Sequence, residues 1–188
     1  RPLIAHLVDA VARTPDLLSL TVVLGHGAEA VRAAVERRLP EPPMPVQFTL
    51  NAEWREGLSA SLRCGLAGAL AAPGGRTLGG VLFLLGDPPL VTARTLAALI
   101  RAHDEARAQN PDHPATAPAY LGRRGNPVIL SPRLFPALMA LRGDTGGRGI
   151  LQALGHDLLL VPVDDPGVLH DVDTPEAYEA LCSRRDDG

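Results

Sequence analysis

The chain alternates short apolar runs with segments of helical period, and no other feature constrains the fold as strongly. In "AEAVRAAVERRL", Val31, Val35 and Leu39 fall on one helical face, with charged residues opposite. In "VLFLLG", five apolar residues end at a glycine, which is typical of a strand buried on both faces. The alternation predicts an α/β fold, a three-layer sandwich in which helices cover both faces of a mostly parallel sheet.

The predicted elements extend along the whole chain. The predicted helices cover residues 1–12, 28–39, 59–70, 92–108 and 149–155. The predicted strands cover residues 20–25, 46–51, 81–86, 115–122, 126–131 and 157–163. Ser131-Pro132 and Thr174-Pro175 each place a capping hydroxyl before a proline, which predicts two further helix starts. No internal repeat divides the chain, so a single domain over residues 1–188 is predicted.

Bulk composition argues against several classes of protein. No apolar run approaches the roughly 18 to 20 residues that span a bilayer, so no membrane association is expected. The formal net charge is −3 and the arginines are interspersed with acidic residues, so the sequence has no basic patch that would indicate nucleic-acid binding. Two cysteines without metal-ligand spacing fit a reducing compartment, and the cytoplasm is the expected location. The six histidines are scattered along the chain and are expected to be structural.

Asp87 follows the apolar run in "VLFLLGDPPLVT". A residue at the carboxyl end of such a strand faces the crevice where open α/β sheets bind ligands. Mg²⁺ takes one or two carboxylates together with substrate phosphates, so Asp87 is a candidate metal ligand. A turn aspartate that caps backbone amides is the alternative, and spacing alone gives the two equal weight.

Asp171 and Asp173 alternate in "LHDVDTPEAY", immediately before a predicted helix. Both side chains lie on one side of the chain if the backbone is extended. Taken by itself, this pattern favours simple helix capping. A carboxylate from this segment facing Asp87 would instead give the pair that holds a metal ion against a triphosphate.

Gly57, Ser59 and Ser61 occupy a strand-to-helix passage in "NAEWREGLSASL". Small hydroxyl side chains and free amides at a helix start suit a base, a ribose or a phosphate. Helix capping is the alternative, and it needs only one serine. The glycine-x-serine-x-glycine pattern of a nucleophile elbow is absent from this segment.

Two further polar loops are candidates. "YLGRRGNPVIL" places Arg124 and Asn126 between two predicted strands, where an arginine can grip phosphate or merely solvate a hairpin. "RGDTGGRGI" places Asp144 before a predicted helix. Its glycines are similar to those of an anion site, but they match no dinucleotide-binding fingerprint.

These segments, in this order, resemble the molybdenum cofactor nucleotidyltransferases (MobA-like NTP transferases), particularly their molybdopterin cytidylyltransferase branch. The resemblance rests on the blocks "NAEWREGLSASL", "LLGDPPLVT", "YLGRRGNPVIL", "LRGDTGGRGIL" and "DVDTPEAY". It implies a nucleotide-binding α/β sandwich of the nucleotide-diphospho-sugar transferase type. It also implies transfer of a nucleoside monophosphate from a triphosphate to a phosphorylated acceptor, with release of pyrophosphate.

The resemblance also implies roles for the candidate residues. Asp87 corresponds to the family's magnesium aspartate, Asp173 to a second residue beside the metal, and Asp171 is a weaker candidate there. The segment near the base and ribose contains Gly57, Ser59 and Ser61. The acceptor side contains Arg124, Asn126 and Asp144. The implied cofactor is Mg²⁺, the implied substrates are CTP (GTP is the alternative) and molybdopterin, and a molybdoenzyme or its chaperone is an implied protein partner.

Two other functions stay open beside nucleotidyl transfer. One is an NAD(P)H-dependent oxidoreductase, because relatives of this family have been described as such enzymes. The other is a non-catalytic chaperone that delivers the molybdenum cofactor without forming a nucleotide bond. Release of pyrophosphate would indicate nucleotidyl transfer, and oxidation of NADPH would indicate the oxidoreductase. Binding of the cofactor without turnover would indicate the chaperone.

The resemblance has one large departure at the start of the chain. Family members begin with a strand ending in a Leu-Ala-Ala-Gly motif, followed by a glycine-rich turn whose Arg and later Lys hold the triphosphate. Here "RPLIAHLVDAV" resembles the segment after that lysine. A sheet without this first strand and phosphate loop would expose two unpaired edges.

We therefore expect the natural protein to carry an additional N-terminal segment of about 20 to 35 residues, the length of one strand and a phosphate loop. Intact-mass measurement of the natural protein checks this expectation. A mass of 19.8 kDa, that of the present chain, would contradict it.

Overall fold

A computed structural model describes residues 3–86 and 91–169. The helices within these ranges are α1 (Leu3–Ala12), α2 (Ala28–Arg38), α3 (Leu58–Ala71), α4 (Ala93–Gln109), α5 (Phe135–Met139) and α6 (Arg148–Leu154). The strands are β1 (Leu20–Leu24), β2 (Val46–Leu50), β3 (Val81–Phe83), β4 (Ala115–Tyr120), β5 (Arg123–Arg124), β6 (Val128–Leu130) and β7 (Leu158–Pro162). None of the described helices combines the length and the apolar character needed to cross a bilayer.

Helices cover both faces of the sheets, as β1 shows most directly. Val22 and Leu24 are buried in one core with residues of α1 and α2. Val23, which alternates with them, faces the opposite side and approaches Gly65 of α3. A second core packs α3, α5 and α6 against the larger sheet, and a third packs α1 and α4 against the other side. The α/β class with layered helices is therefore confirmed.

Strand direction differs between the two sheets. β1 and β2 are parallel, with Leu20 opposite Val46 and Leu24 opposite Leu50. In the larger sheet β4 is parallel to β7, but β3–β6, β4–β6 and β4–β5 are antiparallel. The described ladders are therefore mixed where the sequence predicts mostly parallel pairing, because periodicity encodes which face is buried and not which way a neighbour runs.

The packing of α3 on the smaller sheet depends on two glycines. A Cβ atom at Gly68 would lie 2.6 Å from Thr49 Oγ1 and 2.9 Å from Thr21 Cγ2. At Gly65 it would lie 3.0 Å from Val23 Cγ2. Gln47 reinforces the contact, since its side-chain amide donates to the carbonyl of Gly68 at 2.9 Å. Only glycine lets the helix axis come this close to the strands.

β3 differs from its prediction in length and environment. The predicted strand covers residues 81–86 and is buried on both faces, whereas the observed strand is Val81–Phe83 and only half-buried. One edge pairs with β6, and the strand also lines a cavity of about 1000 Å³, whose opposite wall includes Leu20–Val23 of β1.

A buried polar cluster fills the space between α4 and β4. His103 Nδ1 lies 2.9 Å from the Thr116 hydroxyl, which in turn lies 3.0 Å from His113 Nε2. Ser131 donates its hydroxyl proton to the carbonyl of His113 and lies 3.3 Å from His103 Nε2. Ser131 precedes a short 3₁₀ turn at Pro132–Leu134, but its side chain does not cap that turn. The predicted side-chain cap is wrong, because the hydroxyl is already committed to this cluster.

This cluster predicts loss of stability in acid. Burial lowers the pKa of His103 to about 4, from an ordinary value of 6.5, and burial also lowers the pKa of His113. Between pH 6.5 and about 4 the unfolded chain binds protons that the folded chain does not, so the free energy of unfolding falls as pH falls. For His103 the loss approaches roughly 3 kcal/mol, which urea unfolding across this range would measure.

Two glutamine variants identify the source of that loss. His103→Gln removes the buried titrating group and is expected to flatten the dependence of stability on pH. His156→Gln is the matched control, because His156 is exposed beyond α6, and it should keep the original slope. Parallel pH profiles for the His103 variant and the unaltered protein would contradict the assignment.

Candidate functional site

The start of α3 is where two distant candidate segments meet. Asp144 Oδ1 accepts a hydrogen bond from the backbone amide of Leu58 at 2.9 Å, across 86 residues of sequence. Gly57 precedes this amide with φ 98° and ψ −173°, a conformation that is essentially restricted to glycine. A Cβ atom there would lie 2.7 Å from Asp144 Oδ1 and 2.9 Å from its Cα. Gly57 and Asp144, expected on the nucleotide and acceptor sides, are therefore in contact.

Arg63 fixes the same junction from the body of α3. Its guanidinium donates to the carbonyl of Leu141 at 2.6 Å, in the loop that leads to Asp144. The second terminal nitrogen, Nη2, lies 3.7 Å from carboxylate oxygens of both Glu53 and Glu56. Arg63 thus contacts both loops, through a short hydrogen bond to Leu141 and through weaker ion pairs with two exposed glutamates.

Asn51 is a residue of the site that the sequence motifs did not single out. It is buried directly after β2, and its amide donates to Ser61 Oγ at 3.1 Å. Its side-chain oxygen accepts from the Glu53 amide at 3.0 Å, and its own backbone amide donates to Leu24. The signal for it was an amide side chain at the carboxyl end of a parallel strand, which is where such sheets place ligand-binding groups.

The two predicted serines of α3 have different environments. Ser61 lines the cavity between β1 and β3, together with Leu58. Ser59 is fully buried, and its hydroxyl finds no hydrogen-bond partner among the residues that the structure describes. A buried hydroxyl of this kind is uncommon and retains its capacity to donate and accept. Roles in nucleotide binding stay predictions for both serines.

Arg124 ends β5, which forms a hairpin with β4, and Asn126 lies in the loop that follows. Arg124 is exposed in β5, opposite Ala119. The backbone amide of Asn126 donates to the carbonyl of Val168 at 2.9 Å. Gly125 lies against the same carbonyl, which a Cβ atom at this position would approach to 2.3 Å. The loop is thus held against the turn at Pro166–Leu169, and acceptor binding by its side chains stays a prediction.

The predicted metal ligands Asp87, Asp171 and Asp173 lie outside the described residues. Within residues 3–86 and 91–169, no group of three or more His, Cys, Asp or Glu side chains could hold a metal ion. The predicted ligand set itself consists only of carboxylates, which are hard oxygen donors of the kind that Mg²⁺ and Mn²⁺ prefer. The chemistry of these residues therefore fits the implied cation.

A family model described as the MobA-like NTP transferase domain matches residues 1–168. The chain belongs to this family, and it is accordingly an enzyme of the nucleotidyltransferase class. This confirms the family inferred from the sequence motifs. It agrees with the observed fold, whose solved neighbours have the sandwich of the nucleotide-diphospho-sugar transferases.

Several known proteins are similar to this chain. Nicotine blue oxidoreductase of Paenarthrobacter nicotinovorans is 28% identical over 163 residues, which is 86% of this chain and 74% of that protein. The purine catabolism protein PucB of Bacillus subtilis is 31% identical over 146 residues, or 74% of this chain and 64% of PucB. The bifunctional protein GlmU of Burkholderia lata is 42% identical over 107 residues, but the match spans only 20% of its length.

Solved structures from Mycobacterium tuberculosis extend the similarity to the fold. Rv0371c of strain H37Rv is 29% identical, with a TM-score of 0.71, and the match covers 96% of this chain and 83% of that one. A complex of Rv0371c with manganese is 28% identical, with a TM-score of 0.70, and covers 96% and 86% of the two chains.

The contact between Gly57 and Asp144 makes a testable prediction. Gly57→Ala combines a backbone conformation forbidden to alanine with a collision against Asp144, so we expect it to lower the free energy of unfolding by about 2–4 kcal/mol. Gly74→Ala is the matched control, since Gly74 also has a positive φ of 81° but meets nothing within 4 Å. Its expected loss is about 1 kcal/mol. Equal losses in urea unfolding would show that the collision is unimportant.

Proposed function

We propose that this chain transfers cytidine monophosphate from CTP to molybdopterin and releases pyrophosphate, with Mg²⁺ as the cofactor. The observation that carries the proposal is the hydrogen bond from the Leu58 amide to Asp144. It joins a loop expected to serve the nucleotide to a loop expected to serve the acceptor. A transfer enzyme needs both substrates at one place, because proximity and orientation supply a large part of the rate enhancement.

The chemistry of the proposed reaction is one displacement at phosphorus. An oxygen of the acceptor's phosphate forms a bond to the α-phosphorus of CTP, while the bond from that phosphorus to pyrophosphate breaks. The bonding electrons leave with pyrophosphate, so no oxidant and no covalent enzyme intermediate is required. A divalent cation bound by Asp87 and Asp173, with Asp171 as an additional candidate ligand, would supply neutralisation of the phosphate charge.

The described residues have positioning roles in this proposal. Gly57 lets the backbone come close to the substrate, and Ser61, held by Asn51, offers a hydroxyl to the base or ribose. Ser59 is proposed to support the same segment from within. Arg124 and Asn126 are proposed to bind the acceptor, since an exposed guanidinium can pair with phosphate in a bidentate manner. Asp144 is proposed to orient the acceptor beside α3.

The proposed partners are small molecules, with a molybdoenzyme or its chaperone as the recipient of the product. CTP is proposed over GTP on the resemblance of the "RGNPV" and "GDTGGR" blocks to the cytidylyltransferase branch. The two cysteines and the absence of metal-ligand spacing between them support action in the reducing cytoplasm. Binding of each triphosphate, measured with and without Mg²⁺, separates CTP from GTP.

One relative favours a second candidate function. Nicotine blue oxidoreductase matches 86% of this chain, and its name describes a redox reaction. On that basis the same cleft would bind NAD(P)H and an oxidised acceptor in place of CTP and molybdopterin. Oxidation of NADPH, followed by its absorbance, would support this candidate. Binding of molybdopterin without turnover of either nucleotide would instead indicate a chaperone.

Replacement of the proposed metal ligand tests nucleotidyl transfer directly. We expect Asp87→Asn to lower pyrophosphate release from CTP and molybdopterin by at least about 100-fold, because a neutral amide binds a divalent cation poorly. Asp157→Asn is the matched control, since Asp157 is exposed beside His156 and is not one of the candidate site residues. Circular dichroism should show both variants folded, and full activity in the Asp87 variant would rule out the metal role.

A further inference from the structure

Asp165 is a buried carboxylate that the proposed mechanism does not yet use. It follows β7 and is only 7% exposed. Its Oδ2 atom accepts hydrogen bonds from the Thr92 amide at 3.1 Å, the Thr92 hydroxyl at 3.0 Å and the Thr95 hydroxyl at 2.5 Å. Its Oδ1 atom accepts from the Gly167 amide at 3.0 Å. Asp165 therefore binds Thr92, Thr95 and Gly167 firmly, because a buried donor or acceptor that lost its partner would cost free energy.

The residues that Asp165 joins are close in sequence to the two predicted metal-binding segments. Thr92 is the N-cap of α4 and follows "GDPPLV", the segment that contains Asp87. Asp165 and Gly167 precede "HDVD", the segment that contains Asp173. A single carboxylate therefore joins the start of α4 to the turn that follows β7, although 73 residues of sequence separate Thr92 from Asp165.

The same turn also holds the loop expected to bind the acceptor. Asn126 donates its backbone amide to Val168, and Gly125 lies against the Val168 carbonyl. Val168 is itself buried and its amide donates to the Asp165 carbonyl at 3.3 Å. The loop at Gly125–Asn126 is thus bonded to the turn that Asp165 anchors.

We propose that Asp165 is a positioning residue that couples the start of α4 to the turn at Pro166–Leu169 and, through that turn, to the loop at Gly125–Asn126 that is proposed to bind the acceptor. The proposal rests on the proposed function for its catalytic consequence, but the coupling itself is a property of the folded chain. Asp165 touches neither substrate nor metal in this role. It acts through Thr92 and Thr95 on one side and through Gly167 on the other.

The first test uses hydrogen exchange in the nucleotide-free protein. Asp165→Asn keeps the size of the side chain but replaces one acceptor oxygen with a donor, which leaves Thr92 and Thr95 without their charged partner. Backbone amides in peptides covering residues 91–97 and 166–169 should both exchange faster. Asp164→Asn is the matched control, because the neighbouring Asp164 is exposed, and it should leave both peptides unchanged. Faster exchange in only one of the two peptides would overturn the coupling.

The second test separates positioning from stability in the transfer reaction. In Asp165→Asn we expect kcat for pyrophosphate release to fall about 10- to 100-fold, with the KM for CTP changed far less. Leu138→Ala removes a fully buried side chain of α5 and is the control for lost stability. We expect it to lower the melting temperature but to leave kcat unchanged at temperatures where the variant is folded. If kcat falls equally in both variants, or in neither, the positioning role is overturned.

The hydroxyl at position 95 allows a rescue experiment. Thr95→Val has the same shape but removes the donor to Asp165, so it should lower kcat in the same direction as Asp165→Asn. Thr95→Ser keeps the donor and should retain kcat close to that of the unaltered protein; a loss equal to that of the valine variant would count against the role. If the unaltered protein transfers no nucleotide, the proposed function fails, and the exchange experiment alone then decides whether the coupling exists.

Discussion

The close approach of α3 to the strands of the smaller sheet is the contact on which the rest of the structure depends. Gly65 and Gly68 leave no side chain between the helix and β1 or β2, while Leu66 on another face of α3 is fully buried in the core of the larger sheet. One helix therefore packs against both sheets. Any side chain on the glycine face would push α3 outward and shift its N-terminus, where Gly57 and the Asp144 carboxylate meet.

Local sequence predicted the elements well and their pairing less well. All helices and strands predicted within the described residues are present, since period and turn residues are local properties. The antiparallel β3–β6 pairing was not foreseen, because it depends on which distant strand arrives beside β3. Ser131 shows the same limit on a smaller scale. Its sequence context predicts a side-chain cap, but buried histidines compete successfully for its hydroxyl.

In the candidate site, too, local motifs could be predicted from the sequence, whereas contacts between distant segments could not. Motif resemblance selected Gly57 and Asp144 separately, and the structure adds that they touch. Asn51 lies within the block "NAEWREGLSASL", but only its hydrogen bond to Ser61 shows that it holds the site together, and Asp165 gains its importance from Thr95, which is 70 residues away in sequence. The role of this buried carboxylate cannot be recognised from spacing, since its partners Thr92 and Thr95 lie at the start of α4, at least 70 residues away in sequence. Residues that organise a site are in this respect harder to predict than residues that would touch its ligands.

The hydrogen bonds of the buried histidine cluster determine which ring nitrogen of His103 carries its hydrogen. A hydroxyl carries one hydrogen, and that of Ser131 goes to the carbonyl of His113, so Ser131 must accept from His103 Nε2. His103 then holds its only hydrogen on Nε2, and Thr116 donates to the bare Nδ1. The ring is locked in one tautomer. A second hydrogen on Nδ1 would point at the hydrogen of Thr116, so acid must turn that hydroxyl around before the imidazole can become charged.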